Sequence, residues 1–138
     1  MSQWEELMKA TNEAFQKRCY YTALELCQRA LRMAINRYEN DRVEDDDMLL
    51  AAIMVSHFNL VDTYAALDQI NHAVDVFEDA SIYLKQLLTS EANTDLQKAA
   101  ALRAGSCLHM EWHRFCDKYK TELPSELPMA EAMGMQLH

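Results

Sequence analysis

The sequence predicts an all-α fold of antiparallel helical hairpins, about five helices in total. Three observations carry that prediction. Glycine and proline are nearly absent: Gly105, Gly134, Pro124 and Pro128 are the only ones, far fewer than the turns of an all-β domain require. Residues 1–104 contain no helix breaker and are rich in Ala, Leu, Glu, Gln, Met and Lys, the strong helix formers. Apolar residues recur at three- and four-residue intervals, the period of a helix face.

The first helix is expected from about Gln3 to Lys17, with Ser2 and Glu5 as a capping box. Trp4, Leu7, Met8, Thr11, Ala14 and Phe15 share one face. The second runs from about Tyr20 to Tyr38 and buries Ala23, Leu24, Cys27, Ala30, Leu31, Ala34 and Ile35. The acidic stretch Glu39 to Asp47 resists packing by mutual repulsion, so it reads as a solvated link. Its last aspartates stand where a helix N-terminus favours negative charge. It lacks the glycine and closing glutamate of a calcium loop.

The third helix, about Met48 to Leu67, is apolar around much of its circumference and is expected between neighbours. A tight break at Asp68-Gln69 leads to a fourth helix, about Ile70 to Leu88. Thr94 and Gln97 form a second capping box ahead of a fifth, about Asp95 to Lys120, and Pro124 and Pro128 end helix propagation. The chain thus reads as one domain over 1–120, with hairpins at 3–40 and 46–89 and a capping helix at 94–120. A Met-rich tail, 121–138, is either disordered or docked.

The formal net charge of -9 disfavours nucleic acid and anionic membranes as partners. No signal peptide and no apolar run of membrane-spanning length is visible. Cys19, Cys27, Cys107 and Cys116 form no CxxC pair and read as reduced thiols, which points to the cytoplasm.

An internal repeat is the most informative pattern. Tyr21-Thr22-Ala23-Leu24-Glu25-Leu26-Cys27-Gln28-Arg29-Ala30 parallels Asn71-His72-Ala73-Val74-Asp75-Val76-Phe77-Glu78-Asp79-Ala80. The alanine pairs Ala23/Ala30 and Ala73/Ala80 share a helix face and let a neighbouring helix approach closely. With Phe77 between Ala73 and Ala80, and Leu60 and Tyr64 in the preceding segment, the pattern resembles a tetratricopeptide repeat (TPR). Cys27 fills the aromatic slot of the first unit, while Val61 and His57 stand where a small residue and Trp are usual. The units are 50 residues apart, against about 34 in the ordinary repeat. The fifth helix resembles a terminal cap, with Gly105 as its small position.

The resemblance implies a protein-interaction module, an adaptor or chaperone, holding a peptide or helix in a concave groove. The groove positions it implies are Met8, Asn12, Phe15, Phe58, Asn59, Asp62, Ala65, Arg103, Ser106 and His109. Asn12 and Asn59 occupy asparagine positions of the carboxylate clamp seen in some TPR domains, with Arg103 as a cation, but Met8 replaces the expected lysine. The alternatives are a self-associating homodimer and a metal-binding sensor. His109, His113 and Cys116 fall on one helix face as candidate metal ligands, although no metal or cofactor is expected. No GxSxG, HExxH or phosphate loop is present, so no enzyme is expected either.

Overall fold

The computed structural model describes residues 2–41, 45–120 and 123. They form five helices: α1 (Ser2–Gln16), α2 (Tyr20–Asn40), α3 (Asp46–Ala66), α4 (Ile70–Thr89) and α5 (Asp95–Tyr119). Each helix packs on the next, and α5 also packs on α3. The central element is therefore α3, which touches α2, α4 and α5. By length and composition α3 alone among the described helices would suffice to cross a membrane. Leu49, Leu50, Ile53, Met54, Leu60 and Val61 are instead buried in the common core.

The acidic stretch is shared at its two ends between α2 and α3. α2 continues to Asn40, and α3 begins at Asp46. The cause is a cap: Asp45 accepts the Met48 amide at 2.8 Å, and Asp46 and Asp47 lie in the positive first turn. At the other end α1 already includes Ser2, whose side chain lies outside the described residues. The second predicted box is present: Gln97 donates its amide to Thr94 Oγ1 at 3.2 Å and accepts the Thr94 amide at 2.7 Å. The tail lies outside the described residues, except Leu123, which is packed against the core.

The two hairpin turns are built alike, 50 residues apart. Arg18 and Asp68 adopt left-handed backbone angles, φ 61° and 60°. Cys19 donates its amide to the Ala14 carbonyl and Gln69 to that of Tyr64, both at 2.8 Å. Arg18 and Asp68 donate to Phe15 and Ala65, both at 3.0 Å. This is the helix ending in which a left-handed residue closes the last turn and reverses the chain. Glycine usually fills the position. Here side chains do, at a steric cost of roughly 1–2 kcal/mol each.

The same offset governs the packing. Ala23, Ala30, Ala73 and Ala80 are fully inaccessible, and Cys27 and Phe77 occupy matching places between them. Phe77 meets Trp112 edge-on at 5.2 Å and Phe115 at the same distance, so α5 closes the second hairpin through aromatic contact. Cys27 lies 3.8 Å from the Thr63 hydroxyl, and burial pushes its thiol up. Gly105 does not serve a close approach: a Cβ placed there would meet nothing within 4 Å. No helix of the described chain covers that side of α5.

Candidate functional site

Three hollows follow one face of α3. The first, about 70 Å³, lies between α1 and α3 and is lined by Thr11, Asn12, Phe15, Asn59, Asp62 and Thr63. The second, about 110 Å³, lies between α3 and α5, with Phe58 and Asp62 facing Glu111, Arg114 and Lys118. The third, about 180 Å³, is walled by Leu50, Met54, Val55 and Phe58 of α3 and Ala100 and Ala104 of α5. Asp62 borders the first two and Phe58 the last two, so the hollows adjoin in a row along α3 that forms a trough.

The trough is built from helix periodicity. Leu50, Met54, Phe58, Val61 and Asp62 recur at three to four residues and share a stripe of α3. On α5 the same spacing aligns Ala100, Ala104, Glu111, Arg114 and Lys118. The upper end is apolar and the lower end charged. Arg114 donates to Glu111 at 2.7 Å. Asp62 is exposed, yet neighbouring atoms partly desolvate its carboxyl. Desolvation raises its pKa above the usual carboxylate range, reinforced by Glu111 and opposed by Lys118.

The structure gathers most of the predicted groove residues. Asn12, Phe15, Asn59 and Asp62 share the first hollow, and Asn59 donates to the Met8 sulfur at 3.6 Å beside it. Arg103 borders the third hollow together with Phe58. Its guanidinium, however, binds Asp47 through two bonds of 2.9 Å. That engagement, and the use of the Asn59 amide on Met8, turn two groups of a carboxylate clamp toward the protein itself. His109 lines none of these hollows. Its ring faces His113, with the two Nε2 atoms 2.9 Å apart.

Sequence reasoning missed Glu111, Arg114 and Lys118, although their spacing marks one face of α5. It also missed a broad depression of about 670 Å³ on the outer side of α1 and α2. Arg29, Arg32 and Arg37 line it beside Trp4, Leu7 and Met33, with Asp41 also in the lining. Three arginines of one helix within nine residues were the available signal. Among the described residues no group of three His, Cys, Asp or Glu side chains is arranged to hold a metal. Cys116 is thus not gathered with the histidine pair, and burial pushes its thiol up.

Residues 2–129 match the model of the family described as protein of unknown function (DUF2753), and the chain belongs to that family. No curated protein and no solved structure matches the chain.

Proposed function

We propose that this family member is a non-enzymatic, TPR-like adaptor that holds a peptide or helix of another protein in the trough along α3. The observation that carries this reading is the sharing of Asp62 and Phe58 between neighbouring hollows. A row of adjoining hollows with an apolar end and a charged end suits an extended or helical segment better than a compact small molecule. The repeated turn and the repeated alanine packing at a 50-residue offset support the TPR-like ancestry. They give two similar hairpins and one terminal helix, the arrangement in which first helices line the inner face.

The partner segment would seat an apolar side chain against Val55, Phe58 and Ala104, with a polar or charged group over Asp62 and Lys118. Phe58→Asp introduces a charge into the apolar end, and Asp62→Arg inverts the other end. Both positions border open hollows, so the helical content should hold. Affinity capture from cells, with wild type and the two variants in parallel, tests the reading. Partners retained by wild type and lost by both folded variants are expected. Equal retention by all three, or a wild-type homodimer that retains nothing, overturns it; the latter favours the self-associating alternative.

A further inference from the structure

His109 and His113 form a pair on α5 that stands outside the trough. The His113 ring is exposed and the His109 ring half-buried. Their centroids are 4.2 Å apart, with planes at 87°. The two Nε2 atoms face each other at 2.9 Å. We propose that this pair is a binding site for a divalent cation that favours right-angled nitrogen ligands, Ni(II) or Cu(II), with both Nε2 atoms as donors.

The distance selects the metal class. Imidazole–metal bonds are about 2.0–2.1 Å. With such bonds, nitrogens 2.9 Å apart subtend about 90° at the ion, the angle of cis ligands in square-planar or octahedral coordination. A tetrahedral ion would need them about 3.3–3.4 Å apart on the same bond lengths. Zinc therefore fits less well unless the rings separate. No third His, Cys, Asp or Glu of the described chain joins the pair. The Cys116 thiol is not gathered with the two rings among the described residues, so it is not placed as a third ligand.

Binding also balances chemically. In the metal-free neutral pair one ring donates its Nε2 proton to the other's Nε2. Coordination by both rings needs both lone pairs, so His113, whose ring is exposed, is the donor and moves its proton to its own Nδ1 through solvent. No net proton is released from the neutral pair. One proton is released for each ring that starts protonated. The geometry is independent of the trough: substitutions at Phe58 and Asp62 touch neither histidine.

Nickel titration followed by calorimetry tests the site on the full chain, with Ni(II) as the probe because exposed Cys19 and Cys107 would reduce or scavenge copper. Saturable one-to-one binding is expected, with affinity reduced at least tenfold by His113→Ala and by His109→Gln. His72→Ala, on α4, and Cys116→Ser should leave the affinity unchanged. His113 is exposed, so its variant should keep the wild-type circular dichroism. Absence of saturable nickel binding overturns the site. So does binding that survives His113→Ala in a folded protein, or that is lost in Cys116→Ser.

Discussion

Arg103 grips Asp47 with two parallel hydrogen bonds, Nε to one carboxylate oxygen and Nη2 to the other, each 2.9 Å long. The pair links the middle of α5 to the first turn of α3. It is exposed on both sides, so screening by water limits what it adds to stability. Its more important effect is on recognition: the cation that a carboxylate clamp would extend toward a ligand is already held by the protein.

The pair sets a pH signature. The Arg103 guanidinium holds the Asp47 carboxyl below its ordinary range. A depressed carboxylate contributes stability that is present above its unfolded pKa and is lost as pH falls through the folded one. Asp47→Asn should therefore be slightly less stable than wild type at neutral pH, with the difference closing in acid. Urea unfolding at a series of pH values checks this. A gap that widens below the carboxylate range contradicts the assignment.

His57 gives a dependence of the same sign in a higher window. It is 4% exposed and its Nδ1 lies 2.9 Å from the Ile53 carbonyl, to which the neutral ring donates. Burial lowers its pKa from the ordinary 6.5, so the unfolded chain binds a proton first as pH falls. Stability is complete above the unfolded pKa and is lost between it and the folded one, by at most about 1.4 kcal/mol per pH unit. Between about pH 7 and 5 wild type should lose more stability than His57→Gln. Equal slopes would show that His57 does not titrate differently on folding.

Gly105 sits in the interior of α5 with open space where a Cβ would point. Gly105→Ala should stabilise the isolated chain by about 0.5–1 kcal/mol, because alanine restricts the unfolded state and clashes with nothing. Thermal unfolding of the monomer measures it. Destabilisation instead would show that the added methyl is not accommodated on this side of α5.

The turn residues offer a matched pair. At φ 60° and 61°, Asp68→Gly and Arg18→Gly should each stabilise by roughly 0.5–1 kcal/mol, since relief of the left-handed strain outweighs the added freedom of the unfolded chain. The sites are distant in the chain, so the double variant should show nearly additive gains in urea midpoint. Loss of stability in either would mean that its side chain makes a contact worth more than the strain.

Phe77 anchors α5 on the second hairpin. It is 2% exposed and touches Trp112 and Phe115. Phe77→Ala should cost about 3–5 kcal/mol, and Phe77→Leu less because more of the volume is kept. Chemical denaturation with tryptophan fluorescence reads the loss. A cost below about 1 kcal/mol would mean that α5 moves in to fill the space.

The sequence by itself determined the five helices, the second capping box, the break at Asp68 and the 50-residue repeat. Those features arise from local rules: the 3.6-residue period, the hydrogen bonds of a cap a few residues long, and alanine spacing within one helix. The alignment of His109 with His113 was legible for the same reason, as an i, i+4 relation. Only the tertiary structure decided which groups remain available. Asp47 and Arg103 are 56 residues apart, so no periodicity announces their pairing. Asn59 likewise spends its amide on Met8, 51 residues away. The trough exists because α3 lies between α1 and α5, placing Phe58 opposite Ala104 and Asp62 opposite Lys118. Helix formation fixes which side chains share a face, but the packing of faces fixes what they meet.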